Sequence, residues 1–223
     1  MDFRVISIGV LSVHELWDHQ VPVRTPHATT VLVRSNGKVI LVDPGLPEQV
    51  IQTRLAERAG LDTADITDVF LTNFRPAHRS GLHTFAQANW LISELERESI
   101  GRHLISRLAE EEEPEARRLI EQDIQTLKRF KAAPDKIADQ VDLFPLPGFT
   151  PGSCGLLLSH ATSTILIAGD AVATTEHLEQ GRVLRNCYDT DQARESLREA
   201  IEIADIIIPG HDNVLFNPTR RPF

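Results

Sequence analysis

The stretch Leu71-Thr72-Asn73-Phe74-Arg75-Pro76-Ala77-His78-Arg79-Ser80-Gly81-Leu82 sets a carboxamide, a guanidinium and an imidazole close together behind a strand-forming run, Ile66 to Leu71, and Ser80-Gly81 closes it. A polar loop at the end of a buried strand is where an open α/β scaffold places its chemistry. Arg75 brings a permanent charge and planar donors suited to a carboxylate, a phosphate or an oxyanion. Asn73 adds one further hydrogen bond. Other polar groups also follow strand-like runs: Asp43 in Val42-Asp43-Pro44-Gly45, Asp170 after Ala168-Gly169, and His211 after Pro209-Gly210. Tyr188, the only tyrosine, follows Cys187 in a loop and offers an oxyanion donor; its plainer reading is ordinary packing.

The elements that must position these groups come in two strand-rich halves. Phe3 to Val13 reads as a strand, and Ala28 to Arg34 as another. Asn36-Gly37 signals a hairpin turn, with Val39 to Val42 as the return strand. An opening hairpin is not the start of a doubly wound parallel sheet. Pro47 suits the first turn of a helix that runs to about Ala59, with Val50, Ile51 and Leu55 at helical spacing and Gly60 as its stop. Asn89 to Ile92 is a short strand. A helical segment then spans 94–131, and Pro114 starts its second helix. Leu119, Ile120, Ile124, Leu127 and Phe130 form its apolar stripe. Core packing is the plain reading of that stripe, and a lid or a homodimer surface is the alternative. In the second half, Val141 to Leu146, Cys154 to Leu158, Thr164 to Ile167 and Ile206 to Ile208 read as strands. A helix over 191–203 presents Leu197, Ala200, Ile201 and Ala204 on one face. This order predicts an α/β (α+β) fold, a four-layer αββα sandwich with ligands at the strand ends, in one domain covering 1–223.

Composition narrows the function classes. The chain has 223 residues, a net charge of −9, and 41% hydrophobic and 25% charged residues, ordinary for a soluble globular protein. The acidic balance argues against a broad nucleic-acid footprint. No apolar run approaches the roughly 20 residues of a membrane span. Two cysteines, Cys154 and Cys187, do not make a disulfide framework. With Met1-Asp2-Phe3-Arg4 lacking an apolar signal core, the expected location is cytoplasmic. Cys154 falls in a strand and reads as buried and inert. Glu110 to Glu113 reads as a solvated helix end. His27 and His83 lie near strand ends, and His14, Trp17 and His19 form a cluster in an N-terminal loop; each reads first as packing.

Five segments, in order, resemble the metallo-β-lactamase superfamily: Leu41-Val42-Asp43-Pro44-Gly45-Leu46, Leu71 to Leu82, Pro147-Gly148-Phe149-Thr150-Pro151-Gly152-Ser153, Gly169-Asp170 and Pro209-Gly210-His211. The second segment stands where that family carries its Thr-His-x-His-x-Asp-His loop. Here Asn73, Arg75 and Ala77 replace the first His, the second His and the Asp, and His78 is kept. Phe149 replaces the His of the third segment.

The resemblance implies two metal positions with different fates. The first would fall to Asn73, Arg75 and Phe149, a set without usable zinc donors. The second would fall to Ala77, His78 and His211, with Asp170 bridging. His78, Asp170 and His211 suffice for one catalytic zinc with an open water position, ahead of iron or manganese. Arg75 and Asp170 are then the expected catalytic groups and Arg75 and Asn73 the substrate-binding ones; Asp43 reads equally as a support of the site loop or as a simple turn aspartate. The implied activity is a one-metal hydrolase of a small ester, lactone, thioester or amide, acting on a small-molecule, anionic substrate. The alternative is a metal-free pseudoenzyme in which Arg75 pairs with Asp170 and the pocket serves only for binding.

Overall fold

The turn at Asn36-Gly37 starts the first sheet. Both residues take positive φ, 46° and 81°, the backbone a tight two-residue hairpin needs. It joins β2 (Thr30–Ser35) to β3 (Lys38–Val42), with β1 (Asp2–Ser7) antiparallel on the other side of β2. The computed structural model describes residues 1–17 and 21–220. Parallel pairing then adds β4 (Asp68–Leu71), β5 (Asn89–Ile92) and β6 (Lys131–Ala132), six strands in all. The second sheet also has six strands: β7 (Lys136–Ala138), β8 (Val141–Pro145), β9 (Cys154–His160), β10 (Ser163–Gly169), β11 (Ile206–Pro209) and β12 (Leu215–Phe216). Only β10 and β11 pair in parallel there.

Three apolar layers hold the sandwich together. Val31, Val33, Val42 and Phe70 of one sheet meet Leu156, Leu158, Ile167 and Ile208 of the other. The outer face of the first sheet is covered by α1 (Glu48–Ala59), α3 (Glu94–Glu110) and α4 (Pro114–Lys128), through Ile51, Leu55, Leu104, Ile120 and Leu127. The second sheet is covered by α6 (Thr190–Ile203), through Leu197 and Ala200. Both central β2 and β3 are buried on two faces, so their sequences run apolar rather than alternating. This is the four-layer αββα fold. None of the described helices is long and apolar enough to cross a membrane.

Three sequence expectations change. The first strand stops at Ser7, not Val13. A Cβ at Gly9 would stand 2.4 Å from the Thr29 nitrogen, so the chain runs too close to its neighbour to continue a regular ladder. Val10 instead makes an isolated bridge to His27, and the residues after it become part of the cleft wall. In α4, Leu119 is 56% exposed while Ile120 and Leu127 are buried. The buried face follows the spacing 120, 124, 127, which turns Leu119 about 100° away. Val50 is likewise exposed beside buried Ile51. Short β6, β7 and β12, and the helices α2 (Pro76–Arg79) and α5 (Thr175–Glu179), carry no periodicity that a sequence reading detects.

Candidate metal centre

Strand direction brings the candidate residues together. Because β3 and β4 are parallel neighbours, their C-terminal ends present Asp43 and Thr72 side by side. The parallel pair β10 and β11 does the same for Asp170 and His211. Gly169 takes φ 55°, and a Cβ there would meet the Thr72 Oγ1 at 2.6 Å. The bare glycine is what lets the two loop systems touch.

At the centre, His78 lies between two carboxylates. Its Nε2 is 2.9 Å from Asp170 Oδ2 and its Nδ1 is 3.0 Å from Asp43 Oδ2. A neutral ring would set a lone pair against one of these oxygens, so the pairing favours the imidazolium. Burial by itself disfavours that charge, but the Asp170 and Asp43 carboxylates outweigh it and raise the His78 pKa to about 10. Asp170 is displaced the other way. Burial opposes its charge, yet His78 and His211 hold its carboxyl well below the usual carboxylate range.

The supporting contacts fix each ring. Asp43 accepts from the Thr72 backbone N–H at 2.9 Å and from its Oγ1 at 2.7 Å, and it adopts φ 50° to do so. It therefore orients both the loop and His78. Sequence reading did not single out Thr72, although it lies in the same motif. The His211 Nδ1 is 3.0 Å from the His27 carbonyl oxygen. A carbonyl only accepts, so Nδ1 carries a hydrogen, and Nε2 stands 2.9 Å from Asp170 Oδ1. Oδ1 is buried and has no aligned hydrogen-bond donor. With its Nε2 hydrogen released, His211 and the Asp170 Oδ1 oxygen would offer two ligand atoms to a cation.

That arrangement fits one divalent metal. His78, Asp170 and His211 bring ligand atoms within 4.8 Å of one another, and all three residues are buried. For His78 to join, its Nε2 must release its proton. No second group of donors of this kind gathers among the described residues. The position of the first metal is filled otherwise. Asn73 is 0% exposed. Its Nδ2 donates to Asp170 Oδ2 at 2.9 Å and its Oδ1 accepts the Arg75 backbone N–H at 3.0 Å. Asn73 is expected from sequence to hydrogen-bond a substrate; here its buried amide is engaged with Asp170 and with its own loop. The Arg75–Asp170 ion pair of the alternative, metal-free reading is absent among the described contacts. Arg75 is exposed in the cleft, and its Cζ sits 5.3 Å from the centre of the Phe149 ring.

A second buried carboxylate, which the sequence did not flag, ties the site loops together. Glu96 accepts from the Phe74 N–H and the Gly152 N–H, each at 3.1 Å. Burial pushes its pKa up. In one sequence it looks like any other helix acid.

The cleft over the centre has a volume of about 810 Å³ and is lined by residues that include Leu11, Val13, Glu15, Pro26, Arg185 and Leu184. The N-terminal wall is fastened by side chains far apart in sequence. His14 stacks on Trp17 at 4.0 Å, Trp17 Nε1 donates to Glu176 Oε1 at 3.1 Å, and Glu15 pairs with Arg185 at 2.5 Å. Of the N-terminal cluster expected from sequence, His19 lies outside the described residues. His83 packs on Trp90, at 5.6 Å between ring centres, and lines a groove away from the centre. Tyr188 is exposed and does not line the cleft. Cys154 is buried.

These charges set an expected pH dependence for metal-free protein. The stabilisation from His78 is fully present below the unfolded value near 6.5 and is lost as pH rises through about 10. That from Asp170 is present above about 3.8 and is lost as pH falls through its depressed value. Melting temperature should decline on both sides of a plateau between these limits. A His78→Gln variant should lose the alkaline decline; an unchanged alkaline decline in that variant would contradict the assignment.

The sequence profile of the metallo-beta-lactamase superfamily matches residues 24–211. No curated protein sequence matches the chain. Solved structures share its fold at low identity. A Thermotoga maritima protein assigned as a metallo-beta-lactamase is 19% identical, with a TM-score of 0.69 over 96% of this chain and 98% of its own. AidC, a dizinc quorum-quenching lactonase in complex with a product, N-hexnoyl-L-homoserine, is 18% identical, with a TM-score of 0.66 over 85% of this chain and 74% of its own. A B. thuringiensis AiiA mutant with N-decanoyl-L-homoserine at its active site is 20% identical, with a TM-score of 0.63 over 94% and 92%.

Proposed function

The chain belongs to the metallo-beta-lactamase superfamily, and from that premise we propose that it is a one-metal hydrolase that opens lactones or cleaves small ester, thioester or amide bonds. The observation that carries this reading is the convergence of His78, Asp170 and His211 on one open cleft, with Asp170 Oδ1 and His211 Nε2 facing each other at 2.9 Å. Its lactone preference draws on the lactonases among the structural neighbours. Zinc held by these three residues would polarise the scissile carbonyl and bring the pKa of water towards about 7.

The chain's own residues do the rest. Asp43 and Thr72 aim His78, the His27 carbonyl sets the His211 tautomer, and Asn73 holds Asp170 by Oδ2. Arg75 supplies positive charge inside the cleft. Hydrolysis adds one water across the acyl bond and yields a carboxylic acid and an alcohol or other leaving group. From a lactone the two stay in one molecule.

The test is a hydrolysis screen of zinc-loaded protein against γ-lactones, acyl homoserine lactones and short esters. Turnover of at least one class is expected, with a loss of about 10²-fold or more in His211→Ala and none in His83→Ala. A zinc-loaded protein that hydrolyses none of them, or a His211→Ala variant as active as the parent, would overturn the hydrolase.

A further inference from the structure

The charges that line the cleft nearly all cancel in pairs. Asp170 is matched by His78, and Glu15 by Arg185. Arg75 is the exception. No carboxylate lies within salt-bridge distance of its guanidinium among the described residues, and it rests over the Phe149 ring at 5.3 Å from the centre. Its backbone is held by Asn73 Oδ1, so the residue is fixed at its base and free at its tip. The chain as a whole carries −9, so a cation in the cleft with no carboxylate at salt-bridge distance stands against the overall balance; Glu96 acts on it only from farther away. The lining is mixed: Leu11, Val13, Pro26, Phe149 and Leu184 give it an apolar part, beside Ser12, Glu15, Arg185 and Asn186. The volume of about 810 Å³ suits a small organic molecule rather than a bare ion.

We propose that Arg75, carried on Phe149, is the recognition point for the carboxylate of an amphiphilic monoacid whose apolar chain lies along Leu11, Val13 and Leu184. Naming this ligand class rests on the hydrolase reading only for the origin of the carboxylate. The substrate brings its own, or hydrolysis of a neutral ester or lactone creates it. Planar guanidinium donors match a carboxylate two-to-two, and Lys keeps the charge but not the fork. Stacking on Phe149 lowers the cost of holding the cation in place.

Binding to chelator-treated protein tests this without any turnover. The probe is hexanoate, titrated by calorimetry and by NMR of the arginine Nε resonances, with hexanamide as the neutral isostere. Hexanoate should shift the Arg75 Nε signal and bind on the order of tenfold more tightly than hexanamide. Arg75→Gln should lose that advantage, and Arg75→Lys should keep part of it. Equal affinity for acid and amide, an Arg75→Gln variant that binds hexanoate as the parent does, or no hexanoate binding to the parent would each overturn the proposal. Because no metal is present, failure of the hydrolase screen leaves this result readable. With zinc-loaded protein, monomethyl and dimethyl adipate then separate the two sources. A KM that rises in Arg75→Gln for the monoester alone supports a substrate carboxylate. KM values unchanged for both, with hexanoate binding lost, support a product carboxylate.

Discussion

Asp170→Asn is expected to cost about 3–5 kcal/mol of folding stability and to abolish metal uptake in the same step. Asp170 is the hub of the site: it meets His78 Nε2 through Oδ2 and His211 Nε2 through Oδ1, each at 2.9 Å, and accepts from Asn73. Asparagine has the same shape but no charge, and one of its arms is a donor. Whichever way that amide is turned, its NH₂ must face a ring N–H or the Asn73 NH₂, or else sit where the metal should go. The His78 imidazolium keeps only Asp43, and a buried charge that loses a partner is more costly than a pair that was never built. For a chain of this size the melting temperature should fall by on the order of 10 °C. A variant that melts with the parent and still takes up zinc would remove Asp170 from the centre of the account.

Gly152→Ala should be almost as damaging, although residue 152 touches neither metal nor substrate. A Cβ there would lie 2.1 Å from the Glu96 nitrogen, 2.5 Å from the Leu95 carbonyl carbon and 2.6 Å from the Glu96 Cα. All three are backbone atoms, so no side chain can swing away. The loop would have to leave the start of α3. That breaks the Gly152 N–H to Glu96 Oε2 bond and the Ser93 Oγ to Gly152 carbonyl bond of 2.6 Å. A loss of about 3 kcal/mol or more is expected, with displacement of Phe149 and therefore of Arg75. Gly60→Ala is the comparison. It has open space around it and only a positive φ of 63°, so it should cost about 1 kcal/mol. Chemical denaturation of both variants settles the order. A Gly152→Ala protein as stable as Gly60→Ala would contradict the close contact between loop and helix.

Much of this architecture could be read from the chain alone, for reasons that differ between residues. Asn36-Gly37 needs no tertiary partner to demand a hairpin, and the runs at Val39 and Ile206 are apolar enough to be strands wherever they pack. The loop residues Asn73, Arg75 and Ala77 announced a rebuilt site because they interrupt a motif at known positions. What could not be read depends on neighbours remote in sequence. Ile8 to Val13 has strand-like composition, yet the approach of Thr29 to Gly9 ends the ladder. Glu15 finds Arg185 across 170 positions, and no local pattern signals that. That the Asn73 amide meets Asp170, 97 positions away, has no local signal either. The alternative in which Arg75 pairs with Asp170 does not form, because Asn73 and His78 take Oδ2 and His211 stands against Oδ1. Arg75 was left to Phe149 and the cleft.

The central claim is a single metal held by His78, Asp170 and His211. It is tested most directly by elemental analysis of protein purified without chelator and then incubated with excess zinc, beside His211→Ala. The account expects about one zinc per chain in the parent, and none in the variant. A parent without metal, a parent with two ions per chain, or a variant that retains its zinc would contradict it.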